Sequence, residues 1–328
     1  MQVGPYTLAS RFLLAPMAGI SDAPFRRLCR QFGAGLATSE MTTADITLWH
    51  TAKSRRRLDI DDDAEPRAVQ IAGSEPEDMA RAARACVARG AQIVDINMGC
   101  PAKKVCNRLA GSALLSEPGR VRRILEAVTA AVDVPVTLKI RTGPAPGDRN
   151  GVDIASIAED CGIAALAVHG RTRACRFKGI AEYETIARIV DAVNIPVIAN
   201  GDIDSPEKSL EVLRLTGAAG LMIGRAARGR PWIFRELQHF HRTGTHFAPL
   251  AKDEVRDIML AHLSDLYQFY GDQTGVRVAR KHLTWYCAEL NNANEFRSRV
   301  VRIDNASEQF RLTRHFFDSS NGENAIAA

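Results

Sequence analysis

Eight short apolar runs, separated by stretches of helical periodicity, constrain what this chain can fold into more than any other feature. The runs are Phe12–Ala18, Leu36–Thr38, Ala68–Ala72, Ile93–Met98, Val134–Ile140, Ala164–Val168, Ile195–Ala199 and Gly220–Ile223. They read as near-continuous apolar segments, the pattern of strands buried on both faces of a parallel sheet. Between them, Pro76–Arg89, Glu117–Val132, Asp153–Asp160, Glu182–Val193 and Pro206–Leu215 place apolar residues three and four apart, as a helix with one buried face does. Three of these carry start signals: Ser74 ahead of Pro76, Ser116 ahead of Pro118, and Ser205 ahead of Pro206. Eight β-α units in about 240 residues predict an α/β fold, a (β/α)8 TIM barrel. The rival is a doubly wound open sheet. That fold brings a G-x-G-x-x-G turn after its first strand, and this chain has none.

The pattern changes at Thr243–Leu250, which has no periodicity. After it come only helical stretches: Asp253–Tyr270, Thr274–Leu290, Asn294–Val301 and Asn305–Phe317. Asn305 and Ser307 are candidate caps, with Glu308 three residues after Asn305. The sequence therefore predicts a barrel domain over residues 1–243 and a small C-terminal all-α helical bundle over 244–328, ending in a polar, frayed tail from Asp318. Hydrophobic residues make up 46% and charged residues 25%, which excludes a mainly disordered chain. No stretch reaches the ~20 apolar residues that cross a bilayer. Met1–Ala9 lacks the basic and apolar regions of a secretion signal. The seven cysteines, at 29, 86, 100, 106, 161, 175 and 287, form no Cys-x-x-Cys pair. Free thiols, no metal site and a cytoplasmic setting are expected. No exposed apolar stripe calls for a partner copy, so a monomer is expected.

Active sites of such barrels lie at the C-terminal ends of the strands. Polar residues interrupt the apolar runs at this end: Gln70, Asn97, Lys139, Arg141, His169, Asn200 and Asp202, with Arg225 after the last strand. The glycine-bearing ends Asn200-Gly201-Asp202 and Gly224-Arg225 suit a phosphate, which backbone N–H groups and an arginine can hold. Gln70 and Lys139 suit a heteroaromatic ring with several carbonyl and nitrogen atoms. A phosphorylated flavin meets both requirements. Cys100 follows Gly99 at a strand end and precedes Pro101. A thiol there is mostly protonated near neutral pH, and can act as proton donor or nucleophile. Cys29, Cys86, Cys161 and Cys287 read instead as small buried hydrophobes.

Net charge is +5, yet residues 253–328 hold nine Arg/Lys and eleven Asp/Glu. The positive excess lies in the barrel, in four acid-free clusters that follow strands. These are Lys53, Arg55, Arg56 and Arg57; Lys103, Lys104 and Arg108; Arg171, Arg173, Arg176 and Lys178; and Arg225, Arg228 and Arg230. Fourteen cations around one opening point to a large polyanion. Arg277, Arg280 and Lys281 offer one more basic face in the helical domain.

With these motifs in place, the chain resembles the tRNA-dihydrouridine synthases, most closely their bacterial B-type subfamily. The stretches that carry the likeness are Ala15-Pro16-Met17-Ala18-Gly19, Asp95 to Val105 with its Asn-Met-Gly-Cys-Pro core, Ala110 to Leu115, Thr137 to Gly143, His169 to Arg173, Ile198 to Asp202 and Met222 to Trp232. The resemblance implies an FMN enzyme that uses NADPH to reduce the C5=C6 bond of D-loop uridines in tRNA. It assigns FMN binding to Pro16, Met17, Ala18, Gln70, Lys139, His169, Asn200, Gly201, Asp202, Gly224 and Arg225. It makes Cys100 the proton donor to uracil C5, with hydride delivered to C6. It places Asn97, Arg141 and Arg171 at the uracil edge, and the C-terminal helices against tRNA. Arg173 joins the substrate contacts through the basic mouth. The proline-rich loop Gly143–Gly147 departs from the family pattern near Pro144. A flavin barrel reducing a small-molecule pyrimidine is the alternative; it leaves the basic mouth and the helical appendage unexplained. A non-catalytic RNA binder would need neither the flavin ring nor Cys100. A metal-dependent hydrolase would need a His/Asp/Glu cluster that the strand ends lack.

Overall fold

The computed structural model describes residues 1–288, 290 and 293–319. Its strands are β1 (Phe12–Leu14), β2 (Thr42–Thr43), β3 (Ala68–Ala72), β4 (Ile93–Met98), β5 (Val136–Arg141), β6 (Ala165–His169), β7 (Val197–Asn200) and β8 (Gly220–Ile223). All eight pair in parallel, in the order β1-β8-β7-β6-β5-β4-β3-β2. Parallel bridges Leu14↔Ala37 and Thr38↔Ala68 join the two ends of the sheet through residues 37 and 38. The second apolar run therefore sits where the sequence put it, but as two bridging residues. The longer pairing falls on Thr42–Thr43.

Inside the barrel, the inward positions of several strands change character along their length. One cluster holds Leu13, Ala15, Ala68, Ile93, Ala165, Ala167, Ile198 and Met222 together with Val3 and Leu8. Val3 belongs to an antiparallel hairpin, Gln2–Val3 with Tyr6–Thr7. Toward the C-terminal ends, the same period-two rows continue as Asp95 and Asn97 after Ile93, and as His169 after Ala165 and Ala167. The apolar layer fixes the strands, and the polar layer above it is the candidate site.

Helices Pro76–Val87, Pro118–Thr129, Gly151–Asp160, Glu184–Ala192 and Pro206–Thr216 follow their strands, each within a few residues of its predicted span. Their start signals differ. Ser205 caps its helix, its hydroxyl accepting from Lys208 N at 3.1 Å. The caps of the helices at Pro76 and Pro118 are Glu75 and Glu117, with no side-chain cap bond. Ser74 and Ser116 stand one position too early. Ser205→Ala should therefore lower stability by about 1 kcal/mol, read as a lower urea midpoint at unchanged slope. An unchanged midpoint would show the cap to be without effect.

Two compact units emerge, Met1–Arg225 and Ala226–Ala328, a division earlier than the expected one at residue 243. In the second unit, helices Ile233–Thr243, Lys252–Tyr270, Asp272–Tyr286, Ala293–Val300 and Ala306–Ser319 bury Leu237, Met259, Leu263, Leu283, Val300 and Phe317. Buried Gln309 accepts from Tyr267 Oη at 2.8 Å and donates to the carbonyls of Val276 and Val300. Asn305 Oδ1 accepts from Glu308 N at 2.9 Å, the cap expected there. The last helix extends through Ser319, so Asp318 begins no frayed tail; the rest of that expected tail lies outside the described residues.

Candidate active site

Strand register brings the predicted residues together. Gln70 pairs with Asp95 and Asp95 with Thr137; Asn97 pairs with Lys139; Arg141 pairs with His169 and His169 with Asn200. Apart from half-buried Thr137 and His169, these side chains are buried yet polar, so each needs a partner. Gln70 Nε2 donates to Asp95 Oδ2 at 2.7 Å, and Thr137 Oγ1 donates to Asp95 Oδ1 at 2.6 Å. Asn97 Nδ2 donates to Gln70 Oε1 at 2.7 Å, while its Oδ1 accepts from Gly99 N at 3.2 Å and Cys100 N at 2.9 Å. Lys139 Nζ donates to Asn200 Oδ1 at 3.0 Å, and Asn200 Nδ2 donates to Met222 O at 2.7 Å. Sequence reasoning did not single out Asp95 or Thr137. The signal was the period-two rows Asp95-x-Asn97 and Thr137-x-Lys139-x-Arg141.

Cys100 is half-buried, as are Cys106 and Cys175; Cys29, Cys86, Cys161 and Cys287 are buried, as their surroundings in the sequence suggested. The Cys100 carbonyl accepts from Ser112 N at 3.0 Å and Ser112 Oγ at 2.9 Å. Gly111 makes this closure possible. Its φ is +61°, and a Cβ there would lie 2.7 Å from the Cys100 carbonyl oxygen. Burial pushes the Cys100 thiol above its ordinary range, so it is protonated at neutral pH.

Two buried arginines shape the loop after β6. Arg141 Nε donates to Gly99 O at 2.7 Å, and its Nη1 donates to the carbonyls of Thr172 at 3.0 Å and Arg176 at 2.6 Å. Its Nη2 makes no hydrogen bond to the described residues, so that one amino group remains for a ligand. Burial draws its pKa down to about 10, which leaves it charged. Arg171 is 4% exposed. It donates to Asp202 Oδ2 at 2.6 Å and to the carbonyls of Gly179 at 2.7 Å and Lys178 at 3.3 Å. Arg171 is thus tied into the loop by these three partners. Asp202 Oδ1 accepts from Arg225 Nη2 at 2.6 Å, and Oδ2 also accepts from Ala181 N at 2.8 Å. Burial alone would raise the Asp202 carboxyl, but Arg171, the Ala181 N–H and Arg225 hold it below the usual range. Asp202 therefore orients the two arginines.

Burial, then Lys139, Arg141, Arg171 and Arg225, push His169 down to about 2. Its imidazole is neutral, and Nε2 lies 3.3 Å from Arg171 Nη1. Arginine can only donate, so Nε2 accepts and the proton sits on Nδ1, free to donate. Among the described residues no hydrogen bond joins His169 to Cys100, so a cysteine–histidine nucleophile pair has no support here. Burial, with Arg141 beside it, lowers Lys139 to about 8, and burial raises Asp95 to about 6.

The donor set fits a phosphorylated flavin. Lys139 keeps two N–H groups beyond its bond to Asn200, Gln70 keeps one N–H and one lone pair, and His169 keeps Nδ1–H. A Cβ at Gly224 would come no closer than 3.8 Å, to Ala15 and Met17, so the backbone after β8 stands open beside the strand-1 end. Pro16, Met17 and Ala18 form that end, and Gly19 N donates to buried Glu40.

The fourteen-cation count overstates the free charge. Arg57 lies 3.6 Å from Glu40, Arg230 lies 2.6 Å from Glu236, and Arg171 and Arg225 share Asp202. Lys53, Arg55, Lys103, Lys104, Arg108, Arg176 and Lys178 are exposed, and Arg173 is half-buried. In the helical unit, Arg280 pairs with Asp304 at 2.5 Å while Arg277 is exposed.

Residues 13–321 match the family model described as dihydrouridine synthase (Dus). The tRNA-dihydrouridine synthase B of Pseudomonas aeruginosa is 57% identical, over 100% of this chain and 99% of its own length. That of Pseudomonas syringae is 59% identical, over 97% and 94%, and that of Shewanella oneidensis is 56% identical, over 97% and 98%. Among solved structures, a variant of NCR from Zymomonas mobilis superposes with a TM-score of 0.52 at 17% identity, over 76% of this chain and 92% of that one. That likeness concerns the fold alone.

Proposed function

The chain belongs to the dihydrouridine synthase family, and on that premise we propose that it is a flavin-dependent oxidoreductase reducing the C5=C6 bond of uridines in the tRNA D-loop. The observation that carries the reading is half-buried Cys100, whose backbone N–H is held by Asn97 and whose carbonyl is held by Ser112, beside a polar ring suited to a flavin. We assign the flavin to FMN, held by Pro16, Met17, Ala18, Gln70, Lys139, His169, Asn200, Gly201, Gly224 and Arg225, with Asp202 aligning Arg225. When bound, FMN supplies hydride, which it takes from NADPH.

The chain's own residues do the rest. The remaining N–H of Asn97 and the free Nη2 of Arg141 hold the uracil edge. Cys100 Sγ gives its proton to C5, where negative charge develops as C6 gains hydride. Lys139 and the Arg171–Asp202–Arg225 group supply the positive field that favours this charge and holds a phosphate. Extruding a base from folded tRNA costs a few kcal/mol. Phosphate contacts from Lys103, Lys104, Arg108, Arg173 and Arg176, and from the helical unit, offset that cost. The reading includes a cytoplasmic monomer; the seven free cysteines suit a reducing setting.

An absorption spectrum tests it. The purified protein should show a flavin band that NADPH bleaches, and that tRNA lacking dihydrouridine restores under anaerobic conditions. A band that bleaches but ignores tRNA would favour reduction of a small-molecule pyrimidine. No band after reconstitution with FMN would sink the flavin assignment. For the basic mouth, Arg173→Ala with Arg176→Ala should weaken tRNA binding and flatten its dependence on log salt by roughly one to two. An unchanged slope would take those residues out of the RNA contact.

A further inference from the structure

The chain Asp95–Gln70–Asn97–Cys100 is a hydrogen-bond relay whose direction is set at both ends. At one end, ionised Asp95 can only accept, and it receives Gln70 Nε2 and Thr137 Oγ1. At the other end, the N–H groups of Gly99 and Cys100 can only donate, and Asn97 Oδ1 receives both. Between them, Gln70 must turn its amino group to Asp95 and its carbonyl to Asn97. Asn97 must then turn its amino group to Gln70 and its carbonyl to the Cys100 loop. Flipping either amide sets like against like at two places in a buried site. We propose that Asp95 is a positioning residue, which polarises this relay and so fixes both the amide orientation of Asn97 and the backbone at Cys100.

Asp95 itself touches neither Cys100 nor an open surface: it is 6% exposed and sits on β4 behind Gln70. Its link to uridine reduction rests on the function proposed above; its link to the Cys100 backbone rests on the hydrogen bonds alone.

The two can be separated by measuring thiol reactivity without tRNA. In the flavin-bound protein, iodoacetamide alkylation of Cys100 is followed by peptide mapping, with half-buried Cys175 as internal reference. Asp95→Leu keeps the branching at Cγ, though it is bulkier, and removes both acceptors; it should change the Cys100-to-Cys175 rate ratio by about tenfold, since a buried donor loses its partner. Asp95→Asn can still accept from Gln70 while donating to the rotatable Thr137 hydroxyl, so it should stay within about twofold. Thr137→Val frees one side of the carboxylate and should shift the ratio in the same direction, by less; it carries the test if the leucine variant does not fold. An asparagine variant as altered as the leucine one would mean that charge, not direction, matters, and would overturn the proposal. So would an unchanged ratio in the leucine and valine variants, or parallel changes at Cys100 and Cys175. A shifted ratio in a protein that ignores tRNA would leave the relay standing and remove the uridine reading.

Discussion

Cys100→Ala is expected to slow uridine reduction by about 10²–10⁴-fold, the range for loss of a general acid, while NADPH bleaches the flavin at the normal rate. The two half-reactions should separate, because the proposed role confines the thiol to the step in which uracil C5 gains a proton. A pH series gives the same role a sign. Burial raises the thiol above its ordinary range, so the wild-type uridine step should hold steady through neutral pH and fall on the alkaline side as the proton is lost. Normal dihydrouridine yield from the alanine variant would refute the role. An alkaline fall that persists in that variant would assign the titration to another group.

The second large effect is expected at Arg141. Its guanidinium joins Gly99, next to Cys100, to Thr172 and Arg176 in the loops that follow the two neighbouring strands. Arg141→Met leaves those three carbonyls without their charged donor. We expect a stability loss of about 3 kcal/mol. Uridine reduction should fall about 10²-fold, because displacing a reacting group by an ångström costs that much. Arg141→Lys should recover little, since an ammonium donates from one point and cannot span the three carbonyls as a planar fork does. A lysine variant with wild-type rate would show that charge alone suffices.

Much of this was legible in the sequence. The apolar runs predicted seven of the eight strands, because a strand buried on both faces leaves a continuous apolar signature; the second run marked only the bridging residues 37 and 38, ahead of Thr42–Thr43. Pro76, Pro118 and Pro206 marked helix starts correctly, since each ring fits only the first turn. The caps were less legible. Ser74 and Ser205 look alike, yet only Ser205 reaches a free N–H. Two larger features escaped because they are partnerships made in space, between side chains on different elements. Counting Arg171, Arg225, Arg57 and Arg230 as mouth charge missed the carboxylates that meet them in space. Asp95 was hidden because its partners, Gln70 and Thr137, lie on neighbouring strands, 25 and 42 residues away.

The closure of Ser112 onto the Cys100 carbonyl has a consequence for how such an enzyme can diversify. The intervening residues 101–111 leave and return at one fixed base, to which Cys106 also reaches back, its Sγ donating to the Cys100 carbonyl at 3.6 Å. Length changes at the exposed tip, Asn107 and Arg108, alter the entropy of closing the loop only slowly, and they leave the Cys100 carbonyl on its Ser112 partners. Substrate reach can therefore drift through insertion, deletion or recharging of this segment, with the chemical step inherited intact.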